Sequence, residues 1–187
     1  MKLVLASASP RRAELLRNAG IDFVVDPAHV PEEPQKGEPP LDFAMRVARE
    51  KARTVARRHP DAAVLGADTI VVLGHEILNK PADSSDALRM LRRLSGHVHV
   101  VTTAVCLVRA GGEDVRAETT RVTMAPFTDA EAHAYVATGE PMDKAGAYAI
   151  QGIAGRWIPR IEGDYSNVVG LPVARVYRML NEAQAIL

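Results

Sequence analysis

Lys2-Leu3-Val4-Leu5-Ala6-Ser7-Ala8-Ser9-Pro10-Arg11-Arg12 is an apolar strand that runs straight into a helix start, and this junction decides for an α/β fold. Residues 3–6 read as buried strand. Ser9 suits the N-cap and Pro10 the first helical position, so a helix is expected over residues 10–19, closed by Gly20. Arg11 and Arg12 then fall in the first turn, facing the positive end of the helix macrodipole, where each cation costs roughly 0.3–1 kcal/mol. A bound polyphosphate turns that penalty into attraction, because unpaired N–H groups at a helix start already favour anions. Ser7 and Ser9 can donate hydroxyl hydrogen bonds to the same anion. The alternative is that the two arginines splay into solvent or pair with an acid.

Outward from this junction, a second strand is expected over residues 21–25, then a proline- and acid-rich loop over 26–40, too long for a tight turn. Residues 41–58 have helical periodicity, with Ala44, Val47, Ala48, Ala52 and Val55 on one face and Lys51 inside that stripe. Residues 62–78 are almost wholly apolar apart from Asp68, Thr69, His75 and Glu76, with Gly74-His75 turning one strand into the next. Asp83-Ser84-Ser85 caps a helix to Leu94, and Gly96 ends it. Residues 97–110 alternate as a strand, and Gly111-Gly112 turns it into another over 115–124. Thr128-Asp129-Ala130-Glu131 spells a capping box for a helix ending at Gly139. A glycine-rich stretch, a turn at 163–167 and a final helix from Pro172 or Val173 complete the chain. Helices alternating with strands, with hairpins mixed in, predict an α/β fold: a mixed twisted sheet with flanking helices.

Composition narrows the function classes. At 187 residues and 47% hydrophobic content the chain can bury one domain, with room for two lobes, without disulfides. Cys106 stands alone in an apolar run and reads as a small buried hydrophobe in a reducing compartment. The apolar run before Arg11 is too short for a signal peptide and no later stretch would span a bilayer, so a cytoplasmic location without a membrane partner is expected. With 23 basic and 23 acidic residues the formal charge is zero, which argues against a broad grip on nucleic acid.

Charges inside apolar patterns mark the candidate chemistry, since a buried unpaired ion is expensive. Asp68, in a core strand, must be hydrogen-bonded, protonated, metal-bound or paired with a cation. Lys51 reads equally as a snorkelling side chain or a site residue, and Lys80 as a loop lysine open to solvent or to an anion. Among the loop acids Glu32, Glu33 and Glu38, one together with Asp68 could hold a divalent cation between protein and phosphate oxygens. Acids for metal with Arg and Lys for phosphate are the residue types of phosphoryl chemistry. Gln151 is a candidate amide reader of a base edge. His97 and His99 read as sheet residues, and Trp157 and Tyr165 as core or interface.

With these pieces assembled, the chain resembles the Maf family of nucleoside triphosphate pyrophosphatases. The matching segments are LASASPRR at 5–12, REKA at 49–52, GADTIV at 66–71, KPAD at 80–83 and MLRRLSG at 90–96, followed by EPMDKAGAY at 140–148, IQG at 150–152 and GDYSNVVGLP at 163–172. They run end to end and in order. The resemblance implies a single domain over residues 1–187, Maf/ITPase-like, with two lobes around a nucleotide cleft. It implies hydrolysis of a nucleoside triphosphate between the α and β phosphates with Mg2+ or Mn2+, and a homodimer. Asp68, Lys51, Lys80 and Arg12 match catalytic positions, with Asp68 at that of the proposed general base. Ser7, Arg11, Thr69 and Gln151 are implied to bind substrate, with Ser9 joining them from its place at the helix start, and Glu32 and Asp68 are implied to bind metal. GADT with AIQG resembles the branch acting on dTTP and UTP. Two positions depart from the family pattern: Pro31 stands where Asp often precedes the glutamate, which bears on the loop's acidity. Asn79 replaces the usual Gly before Lys80, which bears on the turn's geometry. The competing readings are a non-catalytic nucleotide-sensing regulator of cell division and a 7-methyl-GTP pyrophosphatase. Asp68, Lys51 and Lys80 argue against the first, Thr69 and Gln151 against the second.

Overall fold

A computed structural model describes residues 2–185. Strand β1 (Leu3–Leu5) leads into α1 (Pro10–Asn18), and β2 (Val24–Val25) follows. Ser9 occupies the N-cap position of α1, but its side chain makes no cap bond; its N–H instead donates to Ser7 Oγ at 3.2 Å. Strand β2 is shorter than the apolar pattern 21–25 because the Ile21 N–H closes the end of α1 on Leu16 O (3.0 Å) and its side chain drops into the core. Helix α2 (Pro40–Ala56) buries Phe43, Ala44, Val47, Ala48, Lys51, Ala52 and Val55, the expected stripe. Strands β3 (Ala63–Leu73) and β4 (Glu76–Leu78) meet at the Gly74-His75 turn, where Gly74 has φ +62°.

Helix α3 (Ser84–Leu94) is capped by Asp83, which accepts from the Asp86 N–H at 2.8 Å. Strands β5 (Val98–Arg109) and β6 (Gly112–Thr123) come next, then α4 (Asp129–Ala137) with its Thr128/Glu131 capping box. The chain closes with β7 (Arg160–Glu162), α5 (Tyr165–Val169) and α6 (Val173–Glu182). The expected turn at 163–167 opens a short helix instead, because Asp164 Oδ1 accepts from the N–H of Ser166 (2.7 Å) and of Asn167 (3.3 Å).

The seven strands form one mixed sheet in the order β2-β1-β3-β5-β6-β7, with β4 pairing β3. Strand β1 is parallel to β2 and β3, whereas β4 and β7 pair antiparallel with β3 and β6. The chain divides into two compact units, and β3, β5 and β6 run through both. The first holds the chain up to Thr69, Thr103–Glu118 and the chain from Gly170 onward, around a core that includes Leu3, Leu5, Leu16, Leu65, Leu107 and Met179. The second, Ile70–Thr102 and Thr119–Val169, packs around Leu91, Leu94, Tyr135, Tyr148 and Trp157. Trp157 stacks on Phe127 at 4.1 Å and meets Tyr135 edge-on at 5.4 Å, so it is a core residue. Cys106 is buried, and burial pushes its thiol to about 12, as befits an inert apolar side chain. Among the described residues no helix is long and apolar enough to cross a membrane.

Candidate active site

Strand order places a ligand site before any side chain is considered. From β1 the chain passes through α1 to β2 on one side, then through α2 to β3 on the other, so the topology switches direction at β1. Ligands in such sheets bind beyond the carboxyl ends of the strands at the switch point. Here that end is built of Ser7 after β1 and of Ala67, Asp68 and Thr69 in β3, held in register by the Ala6 N–H donating to Leu65 O at 2.8 Å.

Asp68 is buried and accepts from Lys51 Nζ at 2.8 Å, the two side chains each 7% exposed. The same ammonium lies 3.0 Å from Glu32 Oε1 and 3.5 Å from Ala67 O. Lysine can reach from the apolar face of α2 because Gly66 lets that helix lie directly on β3. A Cβ at Gly66 would overlap the Ala48 carbonyl and stand 2.7 Å from the Ala52 nitrogen. The Glu32 loop is pinned rather than loose. Arg46 binds Glu38 through Nε (2.6 Å) and Nη2 (2.8 Å), and Nη2 also donates to Glu33 O at 3.0 Å. Glu38, read from sequence as a loop acid, is therefore a structural anchor whose carboxyl Arg46 holds down to about 2. At the other end, Arg58 and His59 clamp Asp26 and hold its carboxyl near 2 as well.

Arg12 lies in the first turn of α1 as expected, and its hydrogen bonds go to the protein. Arg12 is buried and turned into the protein, where Nε donates to Gly170 O (2.9 Å), Nη1 to Ala67 O (2.9 Å) and Ser7 Oγ (3.1 Å), and Nη2 to Thr69 Oγ1 (3.0 Å). The planar guanidinium fork meets two backbone carbonyls and two hydroxyls at once, a geometry that suits arginine. Burial lowers its pKa, and the charges of Asp68 and Glu32 counter that loss. Arg11, one residue earlier, is half-buried. Arg12 thus feels the charges of Asp68, Glu32 and Arg11, and Lys51 lies on the same two carboxylates.

Ser7 is buried and its oxygen accepts from both Arg12 and the Ser9 N–H, which leaves its hydroxyl hydrogen to donate. Ser9 is half-buried at the helix start. Thr69 takes Arg12 on one side and lies 2.9 Å from Thr103 Oγ1 on the other, bracing the arginine. These residues, with Glu32, Lys51 and Asp68, are brought together in the first unit; Lys80 and Gln151 lie in the second, both exposed. Asn79 O, just before Lys80, accepts from the Gly146 N–H at 3.2 Å, which ties the substituted turn to the glycine-rich stretch. Sequence reasoning missed Gly66, Arg46 and Thr103. Only Gly66, a glycine inside an apolar strand, carried a visible signal of close backbone approach.

Divalent-metal binding can be tested against the donors. Asp68 and Glu32 converge on one point, since both lie within 3.0 Å of Lys51 Nζ, and hard carboxylate oxygens suit Mg2+ or Mn2+. Among the described residues no group of three or more His, Cys, Asp or Glu is placed to hold a metal ion. Such a donor set fits a cation whose remaining ligands are phosphate oxygens and water.

Fold and side chains together define an α/β protein with buried cations and carboxylates gathered at the switch point of its sheet. The family model described as Maf-like protein matches residues 2–183, and the chain belongs to that family. A relative from Koribacter versatilis named dTTP/UTP pyrophosphatase is 61% identical over 183 residues, covering 98% of this chain and 95% of that protein. Another of the same name from Geobacter sulfurreducens is 51% identical over 187 residues, covering 99% and 98%. The crystal structure of protein VC0702 from Vibrio cholerae matches with a TM-score of 0.50 at 14% identity over 97% of each chain, a likeness of fold alone.

Proposed function

We propose that the protein hydrolyses UTP and dTTP to the nucleoside monophosphate and pyrophosphate. The observation that carries this is the buried Asp68 carboxylate held on Lys51 beside Arg11 and Arg12, an acid among cations where a triphosphate is attracted and a water can be activated. The substrate pair is supported by the names of full-length relatives at 61% and 51% identity.

In this reading water attacks the α-phosphorus, its proton passes to Asp68, and the bond to the bridging oxygen breaks with the electron pair leaving on pyrophosphate. Arg11, Arg12, Lys51 and Lys80 stabilise the charge on the leaving group, and the Ser7 hydroxyl donates to a phosphate oxygen. Ser9 adds a donor at the helix start, and Thr69 steadies Arg12. A divalent cation bound by Asp68 and Glu32 would supply charge neutralisation at the phosphates and acidify a water. Gln151 reads the pyrimidine, its amide oxygen accepting from N3–H and its NH2 donating to O4 of uracil or thymine. We further propose a cytoplasmic homodimer, as the family resemblance implies; light scattering of the purified chain reads its mass.

Pyrophosphate release from UTP, dTTP, CTP and GTP, with Mg2+, with Mn2+ and with EDTA, tests the reading. Asp68→Asn should lower kcat about 10²–10⁴-fold, the range for a lost general base, while a non-hydrolysable UTP analogue still binds. Release of orthophosphate with a diphosphate product, or turnover indifferent to EDTA, would overturn it.

A further inference from the structure

Within the second unit, one hydrogen-bond relay that runs from buried Tyr135 to half-buried Glu140 brackets Gln151. Residues 149–152 form a turn closed by the Gly152 N–H donating to Ala149 O at 3.1 Å, and Gln151 is exposed at its tip. The N–H of Ala149, before the glutamine, donates to Tyr135 Oη at 3.2 Å. The N–H of Ile153, after it, donates to the Glu140 carboxylate, 3.2 Å from Oε1 and 3.4 Å from Oε2. Tyr135 Oη itself donates to that same Oε1 at 2.8 Å. Both flanks of the turn therefore end on a single tyrosine–glutamate pair.

The direction of the relay is set by chemistry. Tyr135 is buried on α4, and burial together with the Glu140 carboxylate raises its pKa, so the phenol keeps its proton and donates it to Glu140. Its lone pairs are then free for Ala149. Gly152 is required for the arrangement, since a Cβ there would stand 2.6 Å from Glu140 Oε2 and overlap the rest of the carboxylate. From the other side, Tyr148 is tied to His99 Nε2 at 2.7 Å. A hydrogen-bond reader discriminates only when its donor and acceptor are held where the base edge will lie.

We propose that Tyr135 and Glu140 are positioning residues for nucleobase selection, holding the 149–152 turn so that Gln151 presents its amide to the pyrimidine. This rests on the reading of the protein as a UTP/dTTP pyrophosphatase. The relay does not touch the reacting phosphates, so its loss should appear in KM and base preference rather than in kcat.

The test compares kcat and KM for UTP and CTP in Tyr135→Phe, Glu140→Ala, Glu140→Gln, Gln151→Ala and the Tyr135→Phe/Gln151→Ala double variant, with hydrogen exchange at the Ala149 and Ile153 amides. Tyr135→Phe keeps the ring packed on Trp157 and removes only the hydroxyl. It should raise the UTP KM about tenfold, the worth of one hydrogen bond, with kcat within about twofold and a lower UTP-to-CTP preference. Glu140→Ala should do the same and speed exchange at both amides. Glu140→Gln keeps an oxygen at the Oε1 position, which serves both Tyr135 and Ile153, and should restore most of the preference. Because Tyr135 acts through Gln151, the double variant should be no less selective than Gln151→Ala alone. Loss of selectivity in Gln151→Ala with none in Tyr135→Phe or Glu140→Ala would overturn the relay. Unchanged selectivity in Gln151→Ala would overturn both the relay and the base-reading role. A wild-type protein inactive on UTP and dTTP would instead overturn the function on which they rest.

Discussion

Arg12→Ala separates the observed role of this arginine from the one its helix-start position implies. Its guanidinium makes four hydrogen bonds, to the carbonyls of Ala67 and Gly170 and the hydroxyls of Ser7 and Thr69. Bonds from a charged donor are worth about 1.5–3 kcal/mol net, and a buried acceptor left without one costs about 1–3 kcal/mol. Against this, truncation removes the cost of keeping a cation buried, a cost visible in the lowered Arg12 pKa. The balance is a loss of about 3–5 kcal/mol, as for other buried charge networks broken from one side. In a chain of 187 residues each kcal/mol moves Tm by about 2–4 °C, so ligand-free Arg12→Ala should melt on the order of 10 °C lower. Arg12→Lys should recover less than half, because one ammonium cannot span the fork that reaches Gly170 from Nε and Thr69 from Nη2. Arg11→Ala, at a half-buried site in the same turn, should cost under about 1 kcal/mol. Circular dichroism melts at pH 7, each repeated with a non-hydrolysable UTP analogue, read both effects; the ligand-induced rise in Tm should shrink in both variants. An Arg12→Ala melt within a degree of wild type, or an Arg11→Ala drop as large as that of Arg12→Ala, refutes the reasoning.

Two further outcomes follow from named contacts. Gly66→Ala forces a Cβ against the Ala48 carbonyl and Ala52 nitrogen, so α2 must lift off β3; stability should fall by about 1–3 kcal/mol, and pyrophosphate release should fall further than the lost folded fraction explains. Wild-type-like kcat in the folded variant would show that the Lys51–Asp68 approach does not depend on this glycine. His99 is 1% exposed, its buried Nδ1 has no hydrogen-bond partner among the described residues, and burial lowers its pKa to about 4. The unfolded chain, titrating near 6.5, binds a proton that the folded one refuses. This stability is therefore complete above pH 6.5 and lost as pH falls towards 4, by about 3 kcal/mol in all. Urea midpoints between pH 7 and pH 4 should show this slope in wild type and lose it in His99→Leu; equal slopes would mean that other groups carry it.

What was legible in the sequence was whatever local chemistry alone determines. Periodicity placed α2 and put Lys51 among its buried residues, the capping chemistry of Asp83 and of Thr128 with Glu131 placed two helix starts, and Gly74-His75 placed a strand turn. Asp68 stood out because an acid in an apolar strand must have a partner, though that partner lies 17 residues away and only the fold shows it to be Lys51. The partners of Arg12 were hidden for the same reason. The macrodipole argument counted the charges at the start of α1 but not two carbonyls, 55 and 158 residues further along, that the fold brings within 2.9 Å of the side chain. A buried backbone acceptor must be satisfied, and that requirement outweighs the fraction of a kcal/mol by which a helix dipole repels a cation. Glu38 hid its partner in the same way: it was one of three loop acids, and Arg46, eight residues on, spends its guanidinium holding it. In both cases residue type was read correctly and partner was not, because partners are set by which strand ends and loops meet. The proposed phosphate site therefore rests more on the switch in strand order at β1 than on the charge of the two arginines at the start of α1.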